Sequence, residues 1–262
     1  MKKLLATLAS GAMLLSLVGC SSASTAATAA ATEAAAATAA AAAGGKTVKV
    51  GVSIYKFDDN FMQGTLKQMA SYGYHGPAEK VYQIIGTTLD GTYDILYGLL
   101  NGKISKKQLA ADNDRYFLID HPIDYRQIMF PGVPEEVKKL HDSGRKLAVC
   151  SSSPRTTVDD SLKAMGIAQY FDYVESGEEI EHPKPDPDTY LRAAEALGVP
   201  PQNCVVYEDS RMGIEAGKRA GMYTAAREDR RFGQDQSRAD KIVKDIQELT
   251  AWIGREDCRC RK

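Results

Sequence analysis

Two places in the chain put reactive side chains directly after apolar runs, and a third presents one from a stiff loop. In "NCVVYEDS" the adjacent carboxylates Glu208 and Asp209 follow Val205 and Val206. Two acids side by side at the end of a buried run repel one another unless a cation lies between them or one turns to solvent. Magnesium, which takes a few carboxylates together with water and phosphate oxygens, meets that need. In "KLAVCSSSP" the hydroxyls of Ser151, Ser152 and Ser153 precede a helix expected to start near Thr156. Hydroxyls and free backbone N–H groups at a helix start suit a phosphate, and the same triplet equally suits a plain helix cap. In "EHPKPDPDTYL" Lys184 stands between Pro183 and Pro185, which stiffen the loop that presents the ammonium. Such a point charge suits phosphate oxygens, although a lone lysine in a proline-rich loop is also an ordinary solvated side chain. Asp186 and Asp188 are expected to open the following helix, with His182 a loop residue.

The elements that must position these groups read as alternating helix and strand. "FPGVPEEVKKLHDSGRKLAVCSSS" predicts a helix over Pro134 to His141, a stop at Gly144 and a strand over Lys146 to Cys150, and the alternation continues to the end. That order argues for an α/β fold, a parallel sheet covered by helices on both faces, in which ligands bind at the carboxyl ends of the strands. Gly213, Ala216, Gly217 and Ala220 give the helix after Asp209 a small face that can lie close against the sheet. Upstream, "LKQMASYGY", "AEKVYQIIG", "GTYDILYGLLNG" and "KKQLAADNDRYFLIDH" are amphipathic segments with short breaks, expected to form a small helical subdomain over residues 65–128.

The ordered set Ser151, Lys184 and Glu208-Asp209 resembles the haloacid dehalogenase-like hydrolases, and within them the sugar-phosphatase and beta-phosphoglucomutase-like group, through "KLAVCSSSP", "KPDPDTYL" and "VVYEDSRMGIEAGKRAGM". The resemblance implies a Rossmann-like core over residues 129–254 carrying a helical cap. It implies that Ser151 binds the transferring phosphoryl group, with Ser152 and Ser153 beside the substrate. Lys184 would steady the charge of an aspartyl-phosphate, and Glu208 and Asp209 would fix Mg2+. The substrate class implied is a small phosphorylated sugar, and the chain is expected to act as a monomer. By the same resemblance, cap residues in "IIGTTLDGTYD" would face the site, although Thr87, Thr88 and Asp90 could equally cap the next helix. The family's Asp-x-Asp-Gly motif, whose first Asp is nucleophile and metal ligand and whose second is general acid and base, does not occur in the chain. Its nearest mimic is "FDDNF", with Asp58 after a strand-like run and Asn60 where the second carboxylate belongs.

The beginning of the chain is of a different kind. Lys2 and Lys3, an apolar stretch from Leu4 to Val18 and "LVGC" resemble a bacterial lipoprotein signal over residues 1–19, with lipid attached at Cys20. Residues 20–46 form an Ala- and Thr-rich spacer with no apolar stripe to dock it. "KTVKVGVSIYKFDDNFM" predicts a strand over Val48 to Tyr55 and resembles the first strand and loop of periplasmic glucose/galactose-binding lipoproteins, which implies that Asp58 and Phe61 contact sugar. The segment 47–64 is thus expected to be lipoprotein-like, joined to the hydrolase-like part near residues 62–66. If the strand docks as the missing central strand of the sheet, Asp58 comes to Glu208 and Asp209 as nucleophile and third metal ligand. Residues 255–262 read as a polar tail.

Composition excludes other classes. Thirty-three Lys and Arg against thirty-four Asp and Glu leave a formal charge of -1 with no basic block apart from "CRCRK", which points away from nucleic acid. The five cysteines are scattered except for Cys258 and Cys260, so neither a disulfide framework nor a zinc site is expected, and Cys150 and Cys204 read as small buried residues. The functional reading is an impaired magnesium-dependent phosphatase or phosphomutase. Its alternatives are a fragment of a sugar-binding lipoprotein and an inactive fusion. Export to the membrane surface follows from the signal, and a cytoplasmic place follows if the signal is an artefact.

Overall fold

The computed structural model describes residues 14–15, 52–53 and 59–255. Cys20, the whole of the expected spacer, Asp58 and residues 256–262 of the expected tail lie outside them.

The core consists of short buried strands joined by helices. Strand β1 (Leu14–Leu15) pairs antiparallel with β2 (Val52–Ser53). Helices α1 (Asp59–Ser71), α2 (Ala78–Val81), α3 (Leu89–Leu99) and α4 (Lys106–Asp114) follow, and a π-helix over Arg115–Asp120 continues α4. Then come α5 (Tyr125–Ile128), α6 (Val133–Asp142), β3 (Ala148–Cys150), α7 (Arg155–Ala164) and β4 (Tyr173–Glu175). The chain closes with α8 (Asp188–Ala196), β5 (Val205–Glu208), α9 (Arg211–Arg219), β6 (Tyr223–Arg227), β7 (Lys241–Val243) and α10 (Ile246–Arg255).

All pairings after residue 59 are parallel: β3 with β4, and β5 with β6 with β7. Side chains alternate across these strands with the period of two that a pleated backbone imposes. Val149, Val205, Tyr207 and Ala225 face α6, α7 and α10, packing on Val137, Leu140, Val158, Leu162 and Leu249. Ala148, Cys150 and Val206 face the other way, onto Tyr190, Ala193 and Ala194 of α8 and Ala216 of α9. Each fully buried aliphatic side chain contributes roughly 1.5–3 kcal/mol, so both helical layers are held by the strands between them. Cys150 and Cys204 are buried free thiols, and burial pushes the Cys150 thiol up to about 12.

Two expectations need correction or division. The expected single sheet is resolved into separate ladders, β4-β3 and β5-β6-β7. Only Val52–Ser53 of the expected strand over Val48 to Tyr55 is described, and it pairs with Leu14–Leu15, from the expected signal segment, in an antiparallel ladder of its own. Its backbone comes close to β5, and that of β1 comes close to both β3 and β5. The expected junction near residues 62–66 falls inside the continuous helix α1.

Phe61 and Met62 of that helix are buried with Met69, Leu96, Leu100, Leu109 and Phe117 in a helical cluster separate from the sheet, so the cap begins earlier than residue 65. The Phe61 ring stacks on Phe117 with centroids 4.6 Å apart, which removes it from the sugar-contacting role. At the other end, Tyr125 and Ile128 of α5 pack on the sheet's cluster, and Arg126 Nε donates to Ala164 O at 2.7 Å, so the cap ends before α5.

Candidate functional site

Strand ends β3 and β5 meet through one ammonium group. Lys184, almost fully buried, donates to Glu208 Oε1 at 2.7 Å and to the carbonyl oxygen of Cys150 at 3.1 Å. Its Nζ lies 4.9 Å from the centroid of the Tyr190 ring. The ammonium is therefore no solvated loop charge. An unpaired buried cation costs several kcal/mol, and here a carboxylate, a carbonyl and an aromatic face replace its water. The Lys184–Pro185 peptide is cis, and Asp186 Oδ1 accepts from Asp188 N at 3.2 Å where α8 begins.

Glu208, fully buried, is the hub. Its Oε1 accepts from Lys184 and, at 2.6 Å, from the Tyr190 hydroxyl. Its Oε2 accepts from Asp209 N at 3.2 Å, Ser210 N at 3.4 Å and Ser210 Oγ at 3.3 Å. Ser210 caps α9 by accepting from Gly213 N at 3.0 Å. The small face of α9 has a defined purpose: a Cβ on Gly213 would fall 2.0 Å from Glu208 Oε1, and one on Gly217 would fall 2.7 Å from Thr224 Oγ1. Glycine is required there because the carboxylate occupies the volume a side chain would take.

The serine triplet divides its work. All three residues are buried. Ser151 Oγ accepts from Ser153 N at 3.1 Å, a local turn bond. Ser152 Oγ donates to the carbonyl of Gly86 at 3.0 Å and so reaches the cap. The Ser153 hydroxyl has no hydrogen-bond partner among the described residues. None of the three caps α7, whose N-cap position is Pro154.

From the cap, the loop at Gly86 comes down on both strand ends. A Cβ on Gly86 would lie 2.7 Å from Ser210 Oγ, and its φ of +84° independently favours glycine. Thr87 donates to Ile84 O and bonds Thr92 Oγ1, Thr88 accepts from Gly91 N as the cap of α3, and Asp90 is exposed. These side chains hold the cap's own turn, and the cap reaches the site through a backbone carbonyl.

Ser151, Ser152, Ser153, Lys184, Glu208 and Asp209 thus gather at the carboxyl edge of the strands, while Asp58 lies outside the described residues. Sequence reasoning missed Tyr190, although it stands inside "KPDPDTYL", six residues past the lysine and in the first turn of α8. It also missed Gln236, whose side-chain nitrogen donates to Asp209 O at 2.8 Å and Arg227 O at 2.7 Å from a polar loop with no motif to mark it.

Over residues 54–227 the chain matches the family described as Haloacid dehalogenase-like hydrolase. The chain belongs to the haloacid dehalogenase-like hydrolases. The match begins at residue 54, ahead of the boundary expected at 65. Among curated relatives, a phosphorylated carbohydrates phosphatase of Thermotoga maritima is 38% identical over 92 residues, covering 35% of this chain and 43% of that protein. The fructose-1-phosphate phosphatase YqaB of Escherichia coli is 39% identical over 87 residues, covering 33% and 46% respectively. The aligned stretch spans under half the length of either relative. The beta-phosphoglucomutase structure from Clostridium difficile superposes with a TM-score of 0.60 at 22% identity, over 74% of this chain and 87% of that one, a likeness of fold.

The family implies magnesium at this strand end. Among the described residues no three carboxylates, imidazoles or thiolates come together as a metal cluster. Glu208 and Asp209 supply two carboxylates of the hard-oxygen type magnesium takes. Glu208 Oε1 is committed to Lys184 and Tyr190 by short bonds, whereas the contacts to Oε2 are 3.2–3.4 Å, which leaves Oε2 as the oxygen able to turn toward a cation beside Asp209. The pair fits as part of a magnesium site.

Proposed function

We propose that this domain binds Mg2+ and the phosphoryl group of a small phosphorylated sugar, as an impaired phosphatase or phosphomutase. The observation that carries this reading is the buried Lys184 ammonium, held by Glu208 and Cys150 O beside the serine triplet. A cation fixed in place before substrate arrives stabilises charge developing on phosphoryl oxygens without reorganising during the reaction. The relatives named as phosphatases of phosphorylated carbohydrates and of fructose 1-phosphate support the substrate class.

In this reading Asp209 and Glu208 hold the magnesium, which supplies charge neutralisation at the phosphate. Ser151 offers its hydroxyl hydrogen to a phosphoryl oxygen, and Ser153 offers the buried hydroxyl that has no partner among the described residues. Asp58 is the candidate nucleophile: its carboxylate oxygen would bond to phosphorus as the bond to the sugar oxygen breaks. The departing alkoxide then needs a proton, and Asn60, standing where the family has its second carboxylate, has no acidic proton to give. General acid–base help is worth roughly 10²–10⁴-fold, so turnover is expected to be weak or absent while magnesium and phosphate binding remain.

The rival reading, a fragment of a sugar-binding lipoprotein, loses Phe61 to the cap interior. The N-terminal signal pattern supports export with lipid on Cys20, and the domain then acts at the membrane surface as a monomer. No helix among the described residues is long and apolar enough to cross a membrane.

The test is hydrolysis of a panel of sugar phosphates by the purified chain, with and without magnesium, beside calorimetry with free glucose and galactose. The expected outcome is weak or undetectable magnesium-dependent phosphate release and no heat with free sugars. Tight binding of a free sugar, or turnover indifferent to a chelator, would overturn the reading.

A further inference from the structure

The loop after β6, Glu228 to Ser237, touches both the metal-binding strand end and the cap. At its far end stands Gln236. The β5–β6 ladder ends with Glu208 opposite Ala226, so Asp209 and Arg227 would be the next facing residues. There the Gln236 side chain replaces the ladder: its nitrogen donates to Asp209 O at 2.8 Å and to Arg227 O at 2.7 Å, while its oxygen accepts from Asp229 N at 3.3 Å. A buried amide with every group engaged fixes what it touches, because losing it would take a hydrogen bond from each of two carbonyls and an N–H. Gln234 of the same loop accepts from Arg211 N at 3.2 Å, at the start of α9.

Four residues before Gln236, Phe232 leaves the core altogether. It is buried in the cap's hydrophobic cluster, its ring edge-on to Tyr82 with centroids 5.2 Å apart. Tyr82 opens the short helical turn Tyr82–Ile84, and the Gly86 carbonyl that accepts from Ser152 lies just beyond. Between the two ends Asp229 stiffens the loop, accepting from Arg231 N at 2.9 Å and Arg231 Nε at 3.0 Å.

The geometry points to Gln236 as a positioning residue for Asp209, and to Phe232 as the anchor through which the seating of the cap sets that position. This rests on the reading of Asp209 as a magnesium ligand. Substrate that seats the cap would thereby also order the metal carboxylate, with no cap side chain touching the metal.

Magnesium titration by calorimetry and backbone hydrogen exchange over Glu208–Gly213, on the full chain and on Gln236→Leu, Phe232→Ala and Leu109→Ala, test it. Leu109 lies in the same cap cluster but on α4, so its variant reports ordinary loss of stability. Gln236→Leu is expected to weaken magnesium binding about tenfold, as loss of a group orienting a ligand does. Phe232→Ala is expected to weaken it about threefold and to speed exchange over Glu208–Gly213, with Leu109→Ala changing neither. If Gln236→Leu does not fold, Gln236→Asn, which keeps the amide but shortens its reach, takes its place with the same expectation. Unchanged affinity and unchanged exchange in folded variants would overturn the inference. Failure of the wild-type chain to bind magnesium would instead remove the proposed function, and exchange alone would then decide whether Gln236 and Phe232 hold Asp209.

Discussion

The two sides of the site are built on different principles. On the sheet side, groups distant in sequence are joined by charge: Lys184, Glu208 and Tyr190 come from a loop, a strand end and a helix, and each satisfies another. On the cap side, Thr87 and Thr88 bond within their own turn, Asp90 faces solvent, and the backbone carbonyl of Gly86 reaches across. A charge network in a dry interior must be complete to be stable, so the sheet side tolerates little change. The cap side is a set of local bonds on a separate hydrophobic cluster, where substitutions are felt nearby except at Phe232, the side chain that ties that cluster to the loop holding Asp209.

Lys184→Ala should have the largest effect. It leaves Glu208 buried without its cation, and removing one partner of a buried ion pair costs about 3–5 kcal/mol. Urea unfolding should register that loss; a cost near zero would mean that Glu208 is not held as a buried charge, and the contrast between the two sides would fail. Tyr190→Phe removes only the hydroxyl donated to Glu208, with the ring under Lys184 retained. It should cost about 1–3 kcal/mol by the same measurement. On the cap side, Thr88→Ala should cost about 1 kcal/mol, the usual loss of a helix cap, and leave magnesium affinity unchanged. A change in affinity there would erase the distinction.

How much of this was legible in the sequence follows the same division. The strands, the alternating helices and the residues at the strand ends were readable because apolar runs, period-two alternation and polar residues immediately after them obey local rules. The role of Glu208 as partner of Lys184 was not, since it depends on a contact between residues twenty-four apart in the chain. Gly213 was readable as part of a small face, but not as the space a carboxylate fills. Phe61 was misread because a loop resemblance was given precedence over helical spacing. With Met62, Thr65 and Met69 it lies on the buried side of α1. Gln236 and Phe232 stand in a polar loop where no periodicity marks a buried side chain, and only the folded arrangement reveals them.

A smaller effect should come from acid. Burial pushes the Asp229 carboxyl up, but hydrogen bonds from the Arg231 side chain and backbone and the charges of Arg231 and Arg227 outweigh it and hold the group below its ordinary value. A depressed carboxyl contributes stability that is present above its unfolded value, near 3.8, and is lost as the pH falls through the folded one. Melting temperature followed from pH 6 down to about pH 2 should fall with a steeper acid limb than in Asp229→Asn. Identical limbs would show that the loop draws no stability from this charge.

The most direct measurement is magnesium calorimetry on three chains side by side: wild type, Asp209→Asn on the sheet side and Asp90→Asn on the cap side. The expected result is one magnesium bound by wild type and by Asp90→Asn with equal affinity, and none by Asp209→Asn. Binding that survives in Asp209→Asn, or that is lost in Asp90→Asn, would contradict a metal site built at the end of β5.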